Sequence, residues 1–478
     1  MRNYGRICLY LRKGISIMFD KSVYIRRRMA LREKMASAGA GGVVVFIGNV
    51  DSPAQYRDNC YKFRQDSSWL YYFGLDEPRW AALMDLDEGS DTLYADDVDI
   101  DDIIWTGPMP SVAEMAAGAG VGKTAPYATL DADVAAAVKA GRTVHVIPQS
   151  RVYNEVKLRE MGITGSSRAL TEAIIEMRLV KEDIEIAQID DACALGYEMH
   201  SLARSLVKPG VVEQEIVGRM EGHTMTRGWG ISFATILTQH GEIFHCHSHE
   251  ATIVPGKLLV IDAGAENAMH YASDFTRTYP TGGTYTPRQR AVYEIVHECN
   301  EFAFNMIRPG IAYRDVHLAV ARKMLGRLSD LGLVHGDVDD MVAEGVAGLF
   351  MPHGLGHNMG LDVHDMEDLG ENLVGYDRDQ IRSGQLGLGS LRMARRLKPG
   401  NVITDEPGIY FIPALIEQWK AAGKAREFVN YTALEGYYDF GGIRLEDDVL
   451  VTADGARRLG PKRLPIDPDE IEEIMKNN

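Results

Sequence analysis

Four acidic residues and a group of histidines in the second half of the chain have the types and spacing of a metal site. The run KLLVIDAG ends an apolar strand in Asp262, and twelve residues on, ASDFTRTYP presents Asp274 in a second strand-like run. Two short strands joined by a turn set both carboxylates at neighbouring ladder positions. An aspartate ending a buried strand is costly unless paired, hydrogen-bonded or metal-bound. The Gly-rich segment MPHGLGHNMGLDVHD carries His353, His357 and His364; glycines allow close backbone approach, and imidazole is a common metal ligand. NVITDEPGIYF places Glu406 at a strand end before Pro-Gly, and GGIRLEDDVLV alternates so that Ile443 and Leu445 share one face while Arg444 and Glu446 share the other. Singly, each has an ordinary explanation: a strand-end Asp caps a turn, a His in a Gly-rich loop is structural or exposed, and GIRLEDD is a half-exposed strand. Jointly, four carboxylates and one imidazole form an oxygen-rich set without cysteine, suited to Mn²⁺, Co²⁺ or Zn²⁺. Two ions bridged by carboxylates would activate one water between them.

Strands and helices must position these groups. After the site's first half, Pro287–Met306 and Tyr313–Leu331 read as helices, and KLLVIDAG, NVITDEPGIYF and GIRLEDDVLV read as strands. A long helical stretch over 169–207 ends at Lys208-Pro209-Gly210, with Gln214–Met225 helical beyond it. A domain boundary is expected near 160–170. Before it, YIRRRMALREKMASA reads as an amphipathic helix, VVVFIGN as a buried strand, and WLYYFGL, WAALMDL, DTLYAD and TVHVIP as further strands, with a helical piece at 111–117. This alternation describes an α/β unit. AAGAGVGKT resembles a phosphate loop, but Ala117 stands where the first Gly is required, and no apolar strand precedes it. The C-terminal DPDEIEEIMKNN is a charged helix or a fray.

Composition narrows the classes. The 478 residues suffice for two to four domains. With 51 Lys and Arg against 68 Asp and Glu, the net charge of −17 argues against a nucleic-acid-binding face. Five scattered cysteines (Cys8, Cys60, Cys193, Cys246, Cys299) without a CxxC pair exclude a disulfide scaffold and a thiolate zinc cluster, and suit a reducing, cytoplasmic compartment. No stretch reaches the ~18 apolar residues of a membrane helix. The basic N-terminus, MRNYGRICLYLRKGISIMFD, lacks the h-region of a secretory signal and reads as an untidy start with Met18 as initiator.

Asp262, Asp274, His357, Glu406 and Glu446, in this order and in these local contexts, resemble the five metal ligands of the pita-bread metallopeptidases. Within them, HGLGHNMGLDVHD and the large N-terminal region resemble the proline-specific branch of aminopeptidase P and prolidase, over about residues 20–460. The resemblance implies an N-terminal α/β domain at 20–165 and an α+β pita-bread catalytic domain at 170–465. It implies two divalent ions, Mn²⁺ foremost with Co²⁺ or Zn²⁺ as alternatives, and a homodimer or higher homo-oligomer. Asp262 would bind one ion, Asp274 and Glu446 would bridge, and His357 with Glu406 would hold the second. Glu406 would shuttle the proton of the attacking water toward the leaving nitrogen. His353, His364 and His245 would support catalysis, with His245 and His364 also touching substrate, and Arg444 would brace the carboxylate of Glu446. The Asp262–Asp274 spacing, one residue longer than the family pattern, calls for a longer turn or a bulge. His245, His247 and His249 alternate, so on a strand they would face one way as a separate metal group. The preferred reading puts His245 in the active-site wall and the other two at or beyond its rim.

The implied substrates are small peptides with proline in second position, whose preceding bond is a tertiary amide without N–H. SLRMARRLKPG resembles the prolidase pattern, in which Arg392 matches the arginine for a substrate carboxylate; the other reading is a solvated run of Arg392, Arg395 and Arg396. The expectation therefore leans toward Xaa-Pro dipeptidase, with Xaa-Pro aminopeptidase on longer peptides as the alternative. A non-catalytic binding protein or a metal-free amidinohydrolase on the same scaffold would have shed ligands, and all five types are present.

Overall fold

The computed structural model describes residues 18–476. The basic stretch preceding Met18, and Cys8 with it, lies outside them. The chain divides into two compact units: residues up to Arg178 with Asp368–Gly370, and Leu179–Glu367 with Glu371 onward.

The first unit is α/β. Helix α1 (Lys21–Ser37) starts at Asp20, whose side chain accepts from the Ser22 N–H. Five strands follow in the spatial order β4-β3-β2-β1-β5: β1 (Val43–Ile47), β2 (Ala81–Asp85), β3 (Asp91–Tyr94), β4 (Lys123–Ala125) and β5 (Val144–His145). The run WLYYFGL is not a strand: Ser67–Phe73 is a helix, capped by Asp66 and closed by Gly74 at φ 65°. All seven of its residues are buried, which erases the periodicity that tells helix from strand. The boundary between units falls after the helix Arg168–Arg178, whose buried Leu170, Ile174 and Ile175 belong to the first unit.

The predicted continuous helix over 169–207 is broken at residues 179–182. A new helix, α2 (Asp183–Leu206), begins there because Glu182 and Glu185 form a capping box. Buried Lys181 ties the break to Asp365 at 3.0 Å.

The second unit packs helices against a set of short ladders. Helix α3 (Glu213–Thr224) packs on α2, and α4 (Pro287–Met306) on α5 (Tyr313–Asp330). The strands are β6 (Gly230–Ile231), β7 (Ile236–Thr238), β8 (Leu258–Ala263), β9 (Ala265–Glu266), β10 (Phe275–Pro280), β11 (Val402–Asp405), β12 (Gly408–Tyr410), β13 (Gly442–Arg444), β14 (Asp447–Val451) and β15 (Ala456–Arg458). They form ladders in the orders β10-β8-β7, β11-β14-β15, β12-β13 and β6-β9. Isolated bridges Thr276↔Glu446 and Asn358↔Ile403 join the pieces. Glu446 stands between β13 and β14, tied to Thr276 by its own bridge, and Glu406 stands in the gap between β11 and β12. One apolar core, built from the helices and the backs of these strands, supports the ladders. Among the described residues no helix is long and apolar enough to cross a membrane.

Candidate metal centre

The hairpin of β8 and β10 delivers the two aspartates. Asp262 pairs with Thr276 rather than with Asp274; Asp274 lies two residues back from Thr276, diagonal to Asp262 on the same face. The ladder keeps a single register out to Glu266↔Ala272. No bulge absorbs the long spacing. It is taken up in the turn, where the Asn267 N–H donates to Tyr271 O and His270 adopts φ 64°. Gly264 is required at this hairpin, since a Cβ would lie 1.8 Å from the Ser273 carbonyl oxygen.

The histidine segment runs antiparallel along β11. Met359 N–H donates to Val402 O, and Thr404 N–H to His357 O. Gly356 permits the approach, because a Cβ there would meet the Thr404 carbonyl oxygen at 2.1 Å. His357 donates from Nδ1 to the Asn358 carbonyl at 3.0 Å, which leaves Nε2 as a lone-pair donor, the arrangement of a metal-ligating imidazole. That Nε2 lies 3.3 Å from Asp274 Oδ2 and 3.9 Å from Glu406 Oε1.

Asp274, His357 and Glu446 bring one ligand atom each within 4.8 Å of one another, all three buried; among the described residues this is the one such group of three. Asp262 and Glu406 line the same cavity, of about 580 Å³, together with His353, His364, His245 and Arg392. The donor set fits divalent cations on two observations. Buried Asp274 Oδ1, on the cavity wall, has no hydrogen-bond partner, a position that a cation would satisfy. Burial, then the charges of Asp262, Asp448 and Glu406, push Asp274 well above the ordinary carboxylate range. Burial, then Asp274, Glu406 and Asp262, do the same to Glu446, and burial raises Glu406. Carboxylates that repel one another out of water are held in their charged form by cations.

Arg444 differs from expectation. Its Nη2 binds the Asp262 carboxylate, and Nε approaches Glu446 only to 4.0 Å. It reaches Glu446 through Thr276: Nε donates to Thr276 Oγ1 at 3.0 Å, and that hydroxyl donates to Glu446 Oε2 at 2.6 Å. The cause is register, since Arg444 pairs with Gly408 across β12–β13 while Glu446 has left the strand.

The histidines separate into distinct settings. His353 is fixed between the Gly354 carbonyl and the Tyr410 hydroxyl and stands 3.7 Å from Glu406; burial, then Arg444, push it down to about 3, so it is neutral. His364 stacks on His357 with centroids 3.8 Å apart, and burial, then His357, lower it to about 4. The IFHCHSHE segment is a loop, not a strand. His245 and His247 both line the cavity, and His249 turns inward to hydrogen-bond the Leu237 carbonyl at 3.0 Å. The three do not converge as a metal group. Arg392 reaches the cavity, while Arg396 donates its backbone N–H to Asp377.

Four supporting residues escaped sequence reasoning. Tyr410 joins Arg444 to His353; Thr276 and Thr404 hydrogen-bond Glu446 and Glu406; Asp448 accepts from the Asp274 N–H at 2.9 Å. Tyr410 carried a signal, since Glu406, Gly408 and Tyr410 alternate on one face. A Cβ at Gly408 or at Gly442 would collide with its ring or hydroxyl.

Comparison with known proteins places the chain among relatives. Residues 187–453 match the description "Metallopeptidase family M24" and residues 24–147 match "Aminopeptidase P, N-terminal domain". A human Xaa-Pro dipeptidase is 32% identical over 472 residues, covering 94% of this chain and 92% of that protein. A probable Xaa-Pro aminopeptidase of Sordaria macrospora is 31% identical, covering 92% of each. Among solved structures, aminopeptidase P from E. coli with the inhibitor Pro-Leu superposes with a TM-score of 0.77 at 27% identity, covering 96% of this chain and 99% of that one.

Proposed function

The chain belongs to metallopeptidase family M24, and from that premise we propose that it hydrolyses the bond before proline in Xaa-Pro dipeptides. Its fold is the α+β pita-bread catalytic domain with an N-terminal α/β domain; we assign these to 170–465 and 20–165. The observation that carries the reading is the convergence of Asp262, Asp274, His357, Glu406 and Glu446 on the cavity that also holds Arg392.

These five residues would hold two divalent ions, Mn²⁺ foremost. When bound, such ions lower the pKa of a water and polarise the scissile carbonyl. Glu406 has the most accessible side chain of the four carboxylates, 18% exposed against 11% for Asp262. Its raised pKa and its place beside neutral His353 suit it to take a proton at Oε2 and return it to the leaving imide nitrogen. Hydrogen bonds at both ring nitrogens fix the His353 ring beside Glu406, a place from which it orients that carboxylate. His364 and His245 stand on the wall where a substrate carbonyl would lie. Phe233, Ile236 and Phe244 supply an apolar lining for a proline ring, which offers shape but no donor. Arg392 would receive the free proline carboxylate.

A second reading, an aminopeptidase acting on longer peptides, is favoured by the 40% exposure of the Arg392 side chain, which leaves that end of the cavity open to further residues. Turnover of Xaa-Pro against Xaa-Pro-Pro-Yaa, for wild type and Arg392→Ala, separates the two. Unchanged dipeptide turnover in the variant would remove Arg392 from the assignment. A cytoplasmic homodimer completes the reading, on the scattered unpaired cysteines and the family resemblance.

A further inference from the structure

His364 and Arg392, on the cavity wall, share one carboxylate. Nδ1 of His364 donates to Oε1 of Glu367 at 3.0 Å, and Nη1 of Arg392 binds Oε2 of the same group. Glu371 stands 3.6 Å from that Nη1. The ion contacts of Arg392 thus run through Nη1, and its Nε and Nη2 donors are left for a second carboxylate in the bidentate manner of a guanidinium. Glu367 is itself largely buried, 18% exposed against 40% for Arg392. The anchored end of the pair is therefore the carboxylate, and the arginine is the arm that needs anchoring.

We propose that Glu367 is a positioning residue for dipeptide recognition: a single carboxylate ties His364, stacked on His357, to Arg392, and so fixes the separation between the reacting end of the cavity and the cation that receives the proline carboxylate. This rests on the Xaa-Pro peptidase reading and deepens it by naming what sets substrate length. A four-rotor arginine on an open rim would otherwise sample many positions, and holding it at one nitrogen removes most of that freedom before substrate arrives. The negative charge beside Nη1 also turns away a carboxylate that approaches from the wrong edge, leaving the Nε–Nη2 edge as the receiving side.

The test compares wild type, Glu367→Gln, Glu367→Asp and Arg392→Ala on an Xaa-Pro dipeptide and on the matching Xaa-Pro amide, which lacks the carboxylate. Glu367→Gln is expected to lower the dipeptide-to-amide ratio of kcat/KM about tenfold, chiefly through the dipeptide KM, as befits one lost charge-assisted contact. Glu367→Asp keeps the charge and should recover part of the ratio. In the Arg392→Ala background, Glu367→Gln should leave the ratio where Arg392→Ala has already put it. An unchanged ratio in Glu367→Gln, however far both rates fall, overturns the proposal and reduces Glu367 to a structural role. Should the Gln variant fail to fold, the Asp variant carries the test: a ratio between those of wild type and Arg392→Ala is expected, and a ratio equal to that of wild type overturns the proposal. A wild-type enzyme inactive on both substrates overturns the peptidase reading itself, and this inference with it.

Discussion

The Tyr410 hydroxyl lies 2.9 Å from Nε2 of His353. It also accepts from Arg444 Nη1 at 2.9 Å, and Arg444 in turn binds Asp262. One phenol therefore connects the carboxylate of a proposed metal ligand to the imidazole beside Glu406. Because His353 Nδ1 donates to the Gly354 carbonyl at 2.7 Å, Nε2 is the acceptor and the Tyr410 O–H points to it.

Replacing Tyr410 by Phe removes both bonds and leaves the ring between Gly408 and Gly442. A buried guanidinium nitrogen and a buried imidazole nitrogen each lose a partner, at about 1–3 kcal/mol for an unsatisfied group. The expected result is a kcat about ten- to hundredfold lower with metal content unchanged, read by steady-state kinetics beside elemental analysis. A variant with full kcat would show that the Arg444–Tyr410–His353 chain does not serve turnover.

Much of the site was legible because each ligand sits in a short local pattern. An apolar run ending in Asp marks β8, Asp-Glu-Pro-Gly marks the end of β11, and glycines flank the histidines. What the sequence hides are partners set by cross-strand register. Nothing near Asp274 announces that Asp448 accepts its N–H, or that Arg444 turns to Asp262 rather than Glu446. The break after Arg178 was invisible for a related reason, since neither Gly nor Pro marks it and buried Lys181 is explained only by distant Asp365. In the first unit, the fully buried Ser67–Phe73 shows the converse failure, where burial on all sides removed the pattern itself.

Metal removal should carry a definite pH signature. Asp274 and Glu446 have folded-state pKa values well above the ordinary range, and Glu406 is raised, each chiefly by burial. In the unfolded chain such groups titrate near 4. Above that value the metal-free folded state holds more protons than the unfolded state, so its stability falls as pH rises through the folded pKa values. Divalent ions bind the deprotonated form and reverse this. The rise in Tm on adding Mn²⁺ to chelated protein should therefore grow from pH 5 to pH 8. Melting curves with and without chelator check it, and a gain that shrinks with pH would contradict the carboxylate cage.

Asp274→Asn separates binding from stability. The substitution removes one charge from the repelling set and keeps the size, and the new amide can donate to His357 Nε2, now 3.3 Å from Oδ2. Metal affinity should drop steeply, with activity down by a factor of about a thousand, a loss of some 4 kcal/mol in the transition state. The chelated variant should melt no lower than chelated wild type at pH 8, and higher if repulsion dominates. Isothermal titration with Mn²⁺ and the two melts test both halves. Undiminished affinity would exclude Asp274 as a ligand.

The ion pair of Lys181 with Asp365 offers a test of how the histidine segment is held. Both side chains are almost wholly buried, at 2% and 1% exposure, and Nζ lies 3.0 Å from Oδ2. Asp365 follows His364 directly, and its N–H donates to the Asn358 carbonyl beside His357, so the pair pins the loop that carries both histidines. Gly360 leaves no slack, since a Cβ there would lie 2.7 Å from Asp365 and 2.9 Å from Lys181. Lys181→Met removes the buried cation beside the Asp365 carboxylate and should cost about 3–5 kcal/mol, the range for taking one partner out of a buried ion pair. Lys181→Met combined with Asp365→Asn removes the charge as well as the partner, and should cost less than the first change alone. A denaturant titration of the second unit's fluorescence gives the stabilities, and KM for an Xaa-Pro substrate reports whether His364 has shifted. If the double variant is as unstable as the sum of the two single ones, the pair is not coupled and the segment is anchored by its backbone bonds to β11.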